Sequence, residues 1–116
     1  MTSTYFHNPR CSKSRAALAL LQARGVEPQL VAYLEQPPSI AELGTLLRQL
    51  GLSDARALMR QSEAEYKELG LDNPALPQEA LIAALAAHPR LIERPIFIHG
   101  ERAVIGRPPE RVLELL

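Results

Sequence analysis

The hydrophobic positions change period several times along the chain. Thr2 to His7 reads as a short strand carrying Tyr5 and Phe6, and Asn8-Pro9 breaks it. From about Cys11 to Arg24 the apolar positions fall at helical spacing, with Leu18 and Leu21 beside Ala17, and Gly25 stops the run. Gln29 to Leu34 reads as a second strand. Strand, helix and strand joined by short loops predict a parallel βαβ unit.

A block of helices follows. Gln36-Pro37-Pro38 is a break, and Ser39 with Glu42 has the form of a capping box. Leu43, Leu46, Leu47 and Leu50 then recur at i, i+3, i+4 and i+7, an amphipathic helix ended by Gly51. Ser53 is the expected cap of a short helix through about Met59. Ser62 and Glu65 suggest a second capping box, opening a helix that closes at Gly70. Pro77 starts a further helix with Leu81, Ile82 and Leu85, ending near His88-Pro89. The period then returns to that of strands: Ile96 to His99 and Ala103 to Ile105 flank Gly100 as a β-hairpin. Pro108-Pro109 opens a last helix with Val112, Leu113 and Leu116.

The order β-α-β, helices, β-β-α predicts an α/β domain spanning residues 1–116, with a mixed four-stranded sheet and a helical insertion at about residues 39–90. A thioredoxin-like fold is the simplest member of that class. Periodicity alone leaves other arrangements open.

Composition narrows the chemistry. The chain has 116 residues, 47% hydrophobic and 22% charged, and zero formal net charge. This is globular composition, and a chain of this length can bury a core without staples. No apolar run is long enough to span a bilayer, and no signal peptide is visible at the N-terminus, so a cytoplasmic protein without membrane association is expected. Neutral charge argues against nucleic-acid binding. Of the 13 basic residues only Lys13 and Lys67 are lysine; the rest are arginine, which matches oxyanions in a bidentate way.

There is one cysteine, Cys11. An internal disulfide is impossible, so any thiol cycle takes its second thiol from outside. His7, His88 and His99 lack metal-ligand spacing, and no metal or bound cofactor is expected. Cys11 falls where the first strand meets the first helix. Free N–H groups and the helix dipole there stabilise a thiolate and can cradle a tetrahedral oxyanion. Arg10, Lys13 and Arg15 add positive charge nearby. The phosphotyrosine-phosphatase loop C-x5-R is excluded, because Ala17 stands where its arginine belongs. Cys11-Ser12-Lys13-Ser14 has the C-x-x-S form instead.

The segment Tyr5-Phe6-His7-Asn8-Pro9-Arg10-Cys11-Ser12-Lys13-Ser14-Arg15 resembles the active-site loop of the ArsC-type, glutaredoxin-dependent arsenate reductases. The resemblance continues through Tyr33-Leu34-Glu35 with Pro37-Pro38, Arg56-Ala57-Leu58-Met59-Arg60, and Tyr66 with Glu68-Leu69-Gly70-Leu71. It closes with Glu93-Arg94-Pro95-Ile96 and Gly106-Arg107-Pro108-Pro109-Glu110. It covers essentially the whole chain in order, and it implies a thioredoxin-like fold. It places the catalytic residues at Cys11, Arg60, Arg94 and Arg107, with His7 and Ser14 stabilising the thiolate. Asn8 and the same three arginines bind substrate, and Arg94-Pro95 falls where thioredoxin-like proteins carry a cis-proline.

What the resemblance implies is reduction of arsenate to arsenite through a Cys11 adduct. Glutathione is then the co-substrate and glutaredoxin the protein partner, with a monomer as the simplest assembly. Two other classes remain open: a monothiol oxidoreductase acting on glutathione mixed disulfides, and a non-enzymatic regulatory protein of the same fold. Regulatory relatives commonly carry a C-x-x-C switch, and Ser14 occupies its second position here.

Overall fold

In a computed structural model, which describes residues 2–116, the chain divides into two compact units. One is built from the residues up to Gln36 together with Arg94–Leu116; the other is Pro37–Glu93.

The first unit contains β1 (Ser3–Phe6), α1 (Ser12–Ala23), β2 (Gln29–Val31), β3 (Ile96–His99) and β4 (Arg102–Ile105), and ends in a 3-10 helix over Pro109–Leu115. The sheet order is β2-β1-β3-β4. β1 runs parallel to β2 and antiparallel to β3, and β3 and β4 form the hairpin expected from the sequence. This is the thioredoxin-like arrangement. The strands are shorter than their sequence signals: β2 stops at Val31, because Ala32 begins a turn in which its carbonyl receives the Glu35 and Gln36 N–H groups. The last helix is 3-10 and not α, opening at Pro109 after a cis Arg107-Pro108 bond.

Burial follows the predicted period. Tyr5, Ala17, Leu21, Phe97, Val104, Val112 and Leu115 form one core, joining the sheet to α1 and the terminal 3-10 helix. Tyr5, Ala17, Leu21, Phe97 and Val112 are fully buried there. On the aromatic side Phe6 stacks on Tyr33 with ring centroids 6.1 Å apart.

The register fixes where chemistry can occur. Phe6, the last residue of β1, is paired with Val31, the last of β2, and with Ile96, the first of β3. Ile96 in turn pairs with Ile105, the last residue of β4. One end of the sheet therefore collects the loop after β1, the turn after β2, the residues entering β3 and those leaving β4.

The second unit holds α2 (Ile40–Leu50), α3 (Ala64–Glu68) and α4 (Gln78–Ala87), with 3-10 turns at Ala55–Leu58 and Pro89–Leu91. α2 opens with the predicted capping box, Ser39 and Glu42 bonding reciprocally, and packs against α4. Two predicted caps are displaced. Asp54, not Ser53, caps the short turn by accepting the Arg56 N–H. The Ser62/Glu65 box does not form: α3 starts one residue later, with Glu63 at its N-cap and no side-chain capping bond.

Candidate functional site

The loop after β1 is held from several sides before it reaches Cys11. The His7 N–H donates to the Val31 carbonyl at 2.9 Å, continuing the β1–β2 pairing by one residue. Asn8 turns the chain: its side-chain oxygen accepts the Arg10 N–H at 3.0 Å, and its carbonyl accepts the Cys11 N–H at 3.0 Å. Arg15 clamps the outside by donating to the Pro9 carbonyl at 2.8 Å.

Ser14 is the hub. It is fully buried, and its hydroxyl accepts the Asn8 N–H at 3.1 Å while sharing a 2.7 Å hydrogen bond with His7 Nδ1. The Tyr5 hydroxyl donates to the Ser14 carbonyl at 2.5 Å. Burial pushes the Tyr5 pKa up to about 12, with the Cys11 charge adding to the rise against the Ser14 hydrogen bond, so Tyr5 remains a protonated donor. Three residues of β1 and its following loop are thus tied to the first turn of α1. Burial, helped by the nearby Arg15 charge, lowers the His7 pKa and favours the neutral ring.

Cys11 occupies the N-cap of α1, half-buried and free. The thiol makes no capping hydrogen bond of ordinary geometry, but the first-turn N–H groups are directed at it. Partial burial alone would raise its pKa. The Ser14 N–H, the Arg94 guanidinium and the Lys13 N–H outweigh burial, and the thiol lies below its ordinary value. The charge that acts on the sulfur comes from Arg94, distant in sequence, while the adjacent Arg15 is spent on the Pro9 carbonyl.

Arg94 reaches this place through the sheet. Arg94-Pro95 is cis, as expected, and Pro95 leads into β3. The Nε and Nη1 atoms of Arg94 are buried and have no hydrogen-bond partner among the described residues. Buried guanidinium donors without partners are costly, and an oxyanion beside Cys11 would satisfy them.

Arg107 leaves β4 at the same end, and its Nε donates to the Arg94 carbonyl at 2.7 Å. The Arg107-Pro108 bond is cis as well, which the sequence reading did not anticipate. Gly106 stands between them, its N–H bonded to the Pro95 carbonyl at 2.9 Å. A Cβ on Gly106 would lie 2.9 Å from Pro95 Cγ and 3.0 Å from Val112 Cγ1. That close approach is a requirement for glycine that the sequence could not disclose.

Among the predicted site residues, His7, Asn8, Cys11, Ser14, Arg94 and Arg107 all belong to this end of the sheet. Arg60 lies in the helical unit, on the loop where Met59 bridges Ile92. Its N–H donates to the Leu91 carbonyl at 2.7 Å, and its guanidinium pairs with Glu63. His88 is hydrogen-bonded to Glu65, and His99 to Ser3, so neither is drawn into the cysteine loop. Among the described residues no cluster suits a metal ion, and no helix is long and apolar enough to cross a membrane. Three features of the site were missed from sequence: Tyr5 as a tether of α1, Gly106 as the seat of Pro95, and the cis Arg107-Pro108 bond.

A thioredoxin-like sheet with one cysteine of lowered pKa at a helix N-cap, faced by an arginine before a cis-proline, defines a thioredoxin-like thiol protein. The sequence model of the ArsC family matches residues 6–115. The chain is 52% identical over 111 residues to an arsenate reductase of Neisseria meningitidis serogroup A, covering 96% of this chain and 95% of that protein. It is 48% identical over 116 residues to an arsenate reductase of Haemophilus influenzae, covering the whole of both. A solved structure described as an arsenate reductase from Vibrio cholerae superposes with a TM-score of 0.97 at 53% identity, covering 100% of this chain and 98% of that one. The chain belongs to the ArsC family.

Proposed function

We propose that this protein reduces arsenate to arsenite, with Cys11 as nucleophile and external glutathione and glutaredoxin as reductants. The observation that carries the reading is Arg94: two buried donors without partners, beside a cysteine whose pKa the same guanidinium lowers. Relatives named arsenate reductases support the choice of oxyanion.

In this mechanism the arsenate oxygens are held by Arg94 and the first-turn N–H groups of α1. The Cys11 thiolate attacks arsenic, an As–S bond forms, and an arsenic-bound oxygen leaves as water. Glutathione then adds to arsenic with loss of a second water. Attack on that glutathionyl sulfur by a glutaredoxin thiolate forms a mixed disulfide and leaves its electron pair on arsenic, converting As(V) to As(III). Hydrolysis of the remaining As–S bond frees arsenite and the Cys11 thiol. Two external thiols are consumed, in keeping with a chain that has one cysteine.

His7 and Ser14 keep the loop in the geometry that presents Cys11, and Asn8 shapes the same loop. Arg107 braces Arg94 and adds charge at the site. Arg60 is the third arginine of the proposal on the strength of the family resemblance. The cycle needs a reducing compartment, the cytoplasm, and a single copy of the chain.

The test is arsenic speciation during turnover with glutathione plus glutaredoxin, compared with thioredoxin plus thioredoxin reductase. Arsenite formed only in the first mixture supports the proposed reductant. Arsenite formed as fast in the second overturns it.

A further inference from the structure

The turn after β2 and the loop after β1 enclose a groove of about 260 Å3, lined by His7, Asn8, Pro9, Arg10, Ala32, Leu34 and Glu35. It lies at the chemically active end of the sheet, and its Arg10 wall runs directly into Cys11. Its floor and rim are apolar at Pro9, Ala32 and Leu34, the last 40% exposed. Two opposite charges stand over that surface. Arg10 and Glu35 are both exposed, and neither side chain has a hydrogen-bond or ion-pair partner among the described residues. Of the other polar groups in this loop, Arg15 is bonded to the Pro9 carbonyl and the Asn8 side-chain amide oxygen accepts the Arg10 N–H.

The mechanism proposed above needs a thiol from outside, delivered to atoms bound at Cys11. We infer that this groove seats that thiol, and that its occupant is a short peptide thiol carrying both a carboxylate and an α-ammonium group. Arg10 takes the carboxylate and Glu35 the ammonium, while the apolar surface accepts the peptide's methylene arms. The volume lies just under the roughly 300–1,000 Å3 of pockets that enclose drug-sized ligands, as suits an open seat for a small peptide. The inference rests on the reading of Cys11 as a redox thiol, but not on arsenate as its substrate.

Thiol–disulfide exchange tests it without arsenate. The Cys11 thiolate attacks one sulfur of glutathione disulfide; a Cys11–glutathione disulfide bond forms, the original S–S bond breaks, and one glutathione thiolate leaves. Bis(2-hydroxyethyl) disulfide undergoes the same exchange with no charges to recognise. The second-order rate constants for both, followed by intact-protein mass spectrometry, give a ratio for each variant. The uncharged reagent corrects for any change in folding or thiolate fraction. Arg10→Glu and Glu35→Lys should each lower the ratio of the glutathione rate to the uncharged rate by about three- to fivefold, the scale of an exposed charge contact. Raised salt should compress the wild-type ratio toward that of the variants. An unchanged ratio in both variants overturns the groove as the seat. If the ratio falls while arsenate turnover is absent, the groove stands and the arsenate reading fails. If turnover is present while the ratio holds, the groove proposal alone fails.

Discussion

Arg107 donates its Nε–H to the main-chain carbonyl of Arg94 at 2.7 Å, so one of the two arginines at the sheet end braces the other. Arg94 precedes Pro95 at the entrance to β3, and Arg107 precedes Pro108 beyond β4. Their contact closes the β3–β4 end with a charged donor and leaves Arg94 free to face Cys11. Arg107→Ala is expected to lower kcat/KM for arsenate by about 10- to 100-fold, the scale of a hydrogen bond to a charged group. Arg107→Lys should recover only part of this, because a single ammonium cannot reproduce the planar fork. Steady-state kinetics of both variants check the expectation.

Arg94 is the charged group that lowers the Cys11 pKa. Alkylation of Cys11 by iodoacetamide, measured against pH, should titrate below an ordinary cysteine in the wild type. Arg94→Ala should move that curve to higher pH, so the variant reacts more slowly at neutral pH. The sign follows from removing the cation while retaining burial, which raises the thiol pKa.

Ser14 separates loop architecture from thiolate chemistry. Its backbone N–H acts on Cys11, whereas its hydroxyl serves Asn8 and His7. Ser14→Ala keeps the first and loses the second. It should cost about 1–3 kcal/mol of stability through the buried groups left unpaired, read by denaturant unfolding, and displace the Cys11 titration far less than Arg94→Ala does.

Gly106→Ala should lower the melting temperature, because the added methyl meets Pro95 and Val112 at 2.9 and 3.0 Å. Overpacking of this kind costs about 1–3 kcal/mol. Since Pro95 follows Arg94 directly, the variant should also lose arsenate turnover beyond what its residual folded fraction explains. Thermal melts alongside activity at a permissive temperature check both.

Much of this was legible in the sequence because its signals are local. The Leu43/Leu46/Leu47 stripe, the Ser39–Glu42 box and the strand–Pro–Cys–helix order at Cys11 each specify their element within a few residues. The expected cis bond at Arg94-Pro95 came from the family resemblance and is present. The failures were also local, in the competition between neighbouring caps: Asp54 can accept the Arg56 N–H and also bond the Gln78 side chain, so it displaces Ser53. What no local pattern carried was the antiparallel pairing of Phe6 with Ile96. That pairing joins residues far apart in the chain, and together with the β3–β4 hairpin it brings Arg94 and Arg107 to the cysteine loop. Tyr5 looked like a core aromatic and is one, but its hydroxyl also reaches the first turn of α1.

The central claim is that Cys11 reduces arsenate. Arsenate-dependent NADPH oxidation, coupled through glutathione reductase, glutaredoxin and glutathione, tests it on wild type and Cys11→Ser. Turnover in the wild type that vanishes in Cys11→Ser is the predicted result. No turnover in the wild type, with Cys11 still titrating as a low-pKa thiol, would contradict it.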